Sequence, residues 1–431
     1  MTTAYSRRRM LQFLGAAGLG AAGLAACAPA PKETEPLAAD DPKANEKTFS
    51  FASWTLNEEA GKPVVQGLLD TITTKDGLTV NPVSYPYNEY LNQLTLQVRG
   101  DKLVGAAQLD IAWLGALAAL GKLRDLGDAA KDGGYTSTAL ESGQYEGKQL
   151  GLPWTTGAIG LVTNKELLSR AGITEFPETI EDFEAALVEL KGLGGGVVPY
   201  AASTKVAQLK DILFWMKTFG CTLLDGDRVT IGDDASVEAV TWYKKLYDQK
   251  LIAPDVDRFD ARALFGQGRA AIYDDAIVGK GAVIKDSPDK QLADKLDPVA
   301  RPVLKSGDDP QAQLWGHVIV VVEGEAANTA TSFARWLTSD QAATDEFFAK
   351  LALPPTTEKG LASDAVANDP FTKAFSERIT KTASQNPFWR FPEYAQMETV
   401  IAEQVQAVLI GSSSPADAMT TAGEQVQALV K

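Results

Sequence analysis

Thr48-Phe49-Ser50-Phe51-Ala52-Ser53-Trp54 alternates apolar with small residues and ends in a ring, which is the pattern of a strand running out into a loop. Residues 62–75 follow with Val64, Val65, Leu68, Leu69 and Ile72 at helical spacing, and residues 78–83 return to a strand. Strand, helix and strand in succession are the pattern of α/β layers. The same alternation continues outward. A helix is predicted over residues 90–98, with Leu91, Leu94 and Val98 on one side, then a strand at Leu109-Asp110-Ile111-Ala112-Trp113 and another over 158–163. Residues 179–190 read as a helix started by Pro177 and Thr179, with Glu181 and Asp182 in the first turn, where acid suits the helix dipole. Further helices are predicted over residues 236–250, 326–337, 340–351 and 398–409. No repeat is visible at periods of about 20 to 50 residues.

The chain has 431 residues and a formal net charge of −15. Residues 1–26 hold three Arg and no other charge, so without them the charge becomes −18. A surface this acidic argues against nucleic acid and against an anionic membrane face as partners. The two cysteines are Cys27 and Cys221. If Cys27 is modified, no disulfide can form within the chain, and stability must come from core burial. Roughly 385 residues after the N-terminal region suffice for two domains with cores of their own.

That N-terminal region reads as an address followed by an anchor. Ser6-Arg7-Arg8-Arg9-Met10-Leu11-Gln12 resembles a twin-arginine export signal, with Arg7 and Arg8 as the pair. The Gly- and Ala-rich stretch to Ala26 falls short of the roughly 20 strongly apolar residues that a spanning helix needs. Leu24-Ala25-Ala26-Cys27 resembles a bacterial lipobox, which implies diacylglycerol on Cys27 and a mature chain that starts there. Residues 27–45 are Pro, Ala and charge, and read as a disordered stalk lifting the body off a bilayer.

Five further segments, taken in order, resemble the extracellular solute-binding proteins of sugar-importing ABC transporters, the group that includes maltose-binding protein. They are Leu109 to Trp113; Tyr145-Glu146-Gly147-Lys148-Gln149-Leu150-Gly151-Leu152-Pro153-Trp154 with Asn164-Lys165-Glu166-Leu167; Phe176-Pro177-Glu178-Thr179-Ile180-Glu181-Asp182-Phe183; Phe265-Gly266-Gln267-Gly268-Arg269-Ala270-Ala271-Ile272-Tyr273-Asp274-Asp275; and Gly411-Ser412-Ser413-Ser414-Pro415-Ala416-Asp417-Ala418-Met419. The resemblance implies an α/β, two-lobed periplasmic-binding-protein fold of type II kind, crossed three times between lobes, with the cleft between them. The crossings are expected near residues 155–158, 297–303 and 353–356. Lobe one would hold 46–155 and 301–352, and lobe two 156–300 and 353–431. It also implies a monomer outside the cytoplasm, anchored to the cell membrane through Cys27. That monomer would hand a carbohydrate, an oligosaccharide or glycoside, to the transmembrane subunits of a permease, with no cofactor and no metal. A sugar phosphate, polyol or oligopeptide is the alternative solute, and a surface glycosidase the alternative activity.

Sugar faces want flat aromatic rings, and their rims want planar side chains that donate and accept. By that recipe Trp54, ending the first strand, and Trp154 with Thr155, beside the first crossing, are expected to bind ligand; the resemblance to the family further implies Tyr87 and Asn88, following the second strand, Tyr273, Asp274 and Asp275, closing a strand, Trp315, before a Gly316 that would let ligand approach the backbone, and Trp389 and Arg390, in a loop. Two departures from the family pattern weaken the sugar assignment. An apolar run, residues 114–120, stands where polar contacts are common, and Ala276-Ile277-Val278 stands where a Gly and Trp often follow. Catalysis finds little support. The single histidine, His317, lies in a strand-like run, where a satisfied structural role is expected; no Gly-x-Ser-x-Gly elbow occurs; and Ser287-Pro288-Asp289-Lys290 lacks the partner motifs of penicillin-binding enzymes. Two carboxylates suffice for a glycosidase, so reading alone leaves that option open.

Overall fold

The computed structural model describes residues 45–285 and 287–430. Arg7, Arg8, Cys27, the export signal and nearly all of the stalk lie outside the described residues. The first crossover forms as its periodicity predicts: β1 (Thr48–Ala52), α1 (Lys62–Asp76) and β2 (Thr79–Val83), with β1 and β2 parallel. α1 stops at Gly77, whose φ of 65° is the left-handed conformation that glycine takes without a Cβ clash. α2 (Tyr87–Arg99) begins directly after Pro86, three residues ahead of the expected start, so Tyr87 and Asn88 occupy a first helical turn instead of a loop. β3 (Gly105–Asp110) ends where the Asp110 side chain accepts the Ala112 amide and turns the chain into a 3-10 segment, Ile111–Trp113, followed by α3 (Leu114–Ala118).

β4 (Gly151–Asn164) is the longest strand described. After it come α4 (Ile180–Gly192), β5 (Val198–Ala201), α5 (Asp234–Asp248), α6 (Arg258–Gly266), β6 (Ala270–Ala276), β7 (Leu296–Val299) and β8 (Ala312–Val321). α7 (Ala327–Ser339), α8 (Gln341–Leu351), β9 (Ala383–Ser384), α9 (Tyr394–Leu409) and α10 (Pro415–Gln427) complete the main elements. The strands form one sheet in the order β2-β1-β3-β8-β4-β6-β5, with β7 paired to β4 and β9 to β8.

β4 and β8 run through the middle of this sheet. The first part of β4, from Gly151, lies against β8, whereas its last part, Ile159 to Thr163, lies against β6. β8 likewise starts beside Ile159 and β9, then reaches β3, with His317 opposite Asp110. Residues 353–356 are laced to β4, because Thr155 Oγ1 donates to the Pro354 carbonyl (2.9 Å) and Thr356 Oγ1 to that of Pro153 (2.6 Å). Asp297 to Val299 pairs with Thr163 to Leu161, Val303 bridges Thr179, and Arg301 binds Asp274, so this stretch belongs with β6 and α4, and β8 itself spans the two ends of the sheet.

Three apolar clusters pack around the sheet among the described residues. Phe49 and Phe51 meet Phe333 of α7 at 5.4 and 5.2 Å, and Trp154 stacks on Phe347 of α8 at 4.2 Å. Towards the other end of the sheet, Phe183, Tyr200, Trp215 and Trp242 form a second chain of ring contacts. Each buried aromatic removes a large apolar surface from water, which is the main favourable contribution where the described residues hold no disulfide.

Candidate functional site

In open α/β sheets, ligand-contacting residues collect beyond the carboxyl ends of parallel strands. Here three such ends converge. β1 delivers Ser53 and the 3-10 turn Trp54–Asn57, β2 delivers Tyr85, Pro86 and the first turn of α2, and β3 delivers Asp110 and Trp113. Trp54 is the hub. Its ring meets Tyr87 at 5.5 Å, Tyr90 at 5.1 Å, Trp113 at 5.4 Å and the His317 imidazole at 4.7 Å, all edge to face, and Trp315 meets His317 at 4.7 Å. Trp54 is buried at 3% exposure, Trp113 and Trp315 are half-buried, and Tyr87 keeps 42% of its surface accessible. The accessible aromatic area therefore belongs to Tyr87, Trp113 and Trp315, with Trp54 bracing them from behind.

Polar groups line the same place. Asp110 accepts the Ala112 amide on Oδ1 (2.9 Å) and the Tyr87 hydroxyl on Oδ2 (3.2 Å). Burial raises the Asp110 carboxyl, against the opposing pull of the Ala112 amide and of Lys210. Burial also raises the Tyr87 phenol, with Asp110 and then Tyr394 adding to it and Arg258 opposing. Lys210, Arg258, Tyr394 and Glu398 thus lie within electrostatic reach of the β1–β3 ends. Glu398 Oε1 accepts Asn386 Nδ2 (2.8 Å) and Trp389 Nε1 (2.9 Å), and Oε2 pairs with Lys210 Nζ (3.1 Å). Burial pulls the Lys210 ammonium down, but Glu398 overrides it, aided by Asp211 and Asp110, so it stays above its usual range. Arg258 Nη2 donates to Asp211 Oδ2 (2.6 Å); Asp211 Oδ1 and Arg258 Nε are buried and have no partner among the described residues.

The expected residues divide sharply. Trp54, Tyr87 and Trp315 join the cluster, and Asn88 is exposed beside Tyr87 on α2. Trp154 lies apart from this cluster. Its ring is enclosed between Phe51 and Phe347, because β4 continues as a strand through that position and turns it into the core. Thr155 is tied to the Pro354 carbonyl. Tyr273 is wholly buried against Phe265 at 4.4 Å. Asp274 is held by Arg301 (2.7 Å) and the Tyr200 hydroxyl, and Asp275 by a two-pronged bond from Arg262 (Nε 2.6 Å, Nη2 2.8 Å). These two carboxylates serve internal arginines, whereas the Tyr273 hydroxyl is buried without a partner among the described residues. Trp389 donates inward to Glu398, and Arg390 reaches the Gly226 carbonyl and Asp227, each at 2.6 Å. At Gly316 a Cβ would stand 2.5 Å from the Thr155 carbonyl, so the small residue permits the close approach of β8 to β4.

Gln108, Asp110, Trp113, Lys210, Asp211, Arg258, His317, Tyr394 and Glu398 were not among the expected site residues. The signal for two of them was present: Asp110, ending β3, and Trp113, three residues on, are an acid and a ring at a strand's carboxyl end. The apolar run after Trp113 has a structural use. At Gly115 a Cβ would meet the Trp389 carbonyl at 2.6 Å, so α3 packs against the 386–390 turn. Two surface hollows, of 270 Å3 beside Phe176 and Arg378 and of 390 Å3 beside Tyr135 and Gln149, lie elsewhere. Each is lined by a single aromatic ring, Phe176 in one and Tyr135 in the other, so the Trp54 cluster, with its several rings and buried polar groups, is the candidate site.

Comparison with known proteins bears on the whole chain. The sequence pattern of the family described as bacterial extracellular solute-binding protein matches residues 67–374. Among solved structures, the GacH receptor of Streptomyces glaucescens, determined unliganded and with acarbose, is 24% identical, covers 89% of this chain and 98% of its own, and superposes with a TM-score of 0.77. An ABC transporter solute-binding protein from Thermotoga lettingae, bound with α-D-tagatose, is 20% identical over 89% of this chain and 100% of its own, at a TM-score of 0.76. Maltose-bound MalE3 of T. maritima is 20% identical over 89% and 99%, at 0.75. The α/β architecture is that of these two-lobed binding proteins.

Proposed function

The chain belongs to the family of bacterial extracellular solute-binding proteins, and from that premise we propose that it captures a carbohydrate outside the cytoplasm and delivers it, chemically unchanged, to an ABC permease. The observation that carries this reading is the meeting of Tyr87, Trp113 and Trp315, braced by Trp54, with Asp110, Asp211, Arg258 and Glu398. Rings for the C–H faces and bidentate groups for the hydroxyl rim are what a sugar requires. The relatives known to hold acarbose, tagatose and maltose support the same class. Three carboxylates beside two cations set this site against a phosphorylated sugar, whose dianion would meet net negative charge.

In this proposal residues 46–155 and 317–352 form lobe one, and residues 156–313 and 353–431 lobe two. The two are joined through β4, β8 and residues 353–356. Ligand touching both lobes favours the closed form by its differential contacts, and the permease reads that form. Export through Arg7 and Arg8 and anchoring through Cys27 rest on the sequence alone. Cys27→Ser should move the protein from the membrane fraction to the medium; retention on the membrane refutes the acyl anchor.

Calorimetric titration with maltose, α-D-tagatose, acarbose and glucose 6-phosphate tests the central claim. Saturable binding of a neutral or amino sugar, with the sugar recovered intact, is expected. Preference for the phosphate, or steady release of reducing ends, overturns it.

A further inference from the structure

His317 is the only histidine in the chain, and its ring stands between the edges of Trp54 and Trp315, each at 4.7 Å. Behind it, Gln108 is wholly buried on β3. Gln108 Oε1 accepts from both the Ser53 hydroxyl and the Thr55 hydroxyl (3.0 Å), and Nε2 lies 3.1 Å from His317 Nδ1. Ser53 and Thr55 are themselves buried. Turning the amide round would leave two buried hydroxyl protons without an acceptor, so the orientation with the carbonyl towards them is the one that pairs every donor. Gln108 Nε2–H must then donate to Nδ1, and a neutral imidazole that accepts on Nδ1 carries its proton on Nε2. Burial keeps the ring neutral, pushing it down to about 3. Nε2 has no protein partner among the described residues, and His317 as a whole keeps 6% of its surface accessible.

We propose that His317 Nε2–H, locked in that tautomer by the Ser53/Thr55–Gln108 relay, is a ligand-orienting donor that selects sugars presenting an acceptor oxygen between Trp54 and Trp315. The proposal rests on the carbohydrate reading of this same site. A ligand that covers the N–H without offering oxygen leaves a desolvated donor unpaired, which weakens binding by about tenfold to a hundredfold. Because the ring carries no charge at neutral pH, the donor has no preference for anionic over neutral acceptors of the kind an imidazolium would impose.

One histidine gives one imidazole signal pair, so the test is 15N-histidine labelling of the full chain with long-range proton–nitrogen NMR. The sugar-free protein should show the Nε2–H tautomer, unchanged across about pH 5 to 8. Adding maltose, tagatose or acarbose, whichever binds tightest, should shift the Nε2–H resonance. Gln108→Glu keeps the shape but presents a carboxylate to Nδ1; it should reverse the tautomer and weaken the sugar about tenfold while Trp fluorescence reports an intact fold. An Nδ1–H tautomer in the wild type, or an Nε2–H signal unmoved at saturation by a sugar that binds, overturns the proposal. The tautomer is read without sugar, so that arm fails or stands apart from the carbohydrate reading.

Discussion

Arg262→Met separates a structural carboxylate from a ligand contact. Asp275 is 0% exposed, and its carboxylate takes both Arg262 bonds and the Ala276 amide. Removing the guanidinium leaves a buried charge with one backbone donor, a change that costs about 3–5 kcal/mol. Arg258 remains within electrostatic reach of Asp275, which favours the lower figure, about 3 kcal/mol. With an unfolding entropy of about 2.1 cal/mol/K per residue over roughly 385 residues, ~0.8 kcal/mol/K in all, that loss lowers Tm by about 4 °C. Scanning calorimetry of the single variant and of Arg262→Met/Asp275→Asn should show the double variant recovering more than half of the loss, since no buried charge remains in it. Sugar affinity, measured by titration on the same samples, should change by less than about threefold. If Arg262→Met leaves Tm within about 1 °C while sugar affinity collapses, Asp275 is a ligand contact and the reasoning fails.

Two tryptophans should behave oppositely. Trp154→Ala, deep between Phe51 and Phe347, should destabilise by about 3–5 kcal/mol in urea unfolding, whereas Trp113→Ala should spare stability by comparison and weaken sugar binding at least about tenfold. Equal losses of affinity in the two would refute the division of rings drawn above. Acid should weaken the fold through His317. Its folded value near 3 lies below the ordinary value of 6.5, so the unfolded chain binds the extra proton; stability is full above about 6.5 and falls towards about 3, by about 1.4 kcal/mol per pH unit. Between pH 7 and 4.5 this amounts to about 2–3 kcal/mol, and His317→Gln should remove that slope in urea titrations at several pH values.

The layers were legible because they are written in local periodicity. α1 shows its face in Val64, Val65, Leu68, Leu69 and Ile72, and all five are buried. α4 announces its start through Thr179, whose hydroxyl accepts the Asp182 amide (3.2 Å). The site was legible in part, at the strand ends that carry Trp54 and Tyr87. It failed where the deciding fact is a partner distant in sequence. Asp274 and Asp275 have the composition of a sugar contact, and nothing near them says that Arg301 and Arg262 take them instead. Trp154 follows Gly-Leu-Pro, a loop-like spelling, but its strand continues and buries it. Lys210 and Glu398 are far apart in sequence and ordinary by themselves; only the tertiary fold joins them.

β4 carries an irregularity whose position matters. Its register against β8 slips at Trp154, the extra residue, with Thr155 opposite His317 and Pro153 opposite Val318. An extra residue in one strand loosens the ladder locally and lets it twist, so a swing of one end of the sheet against the other would concentrate its rotation there. The imidazole that faces the aromatic cluster is mounted on that pivot. In the reading proposed above, a sugar bonded to that imidazole would press on the axle as well as on the jaws.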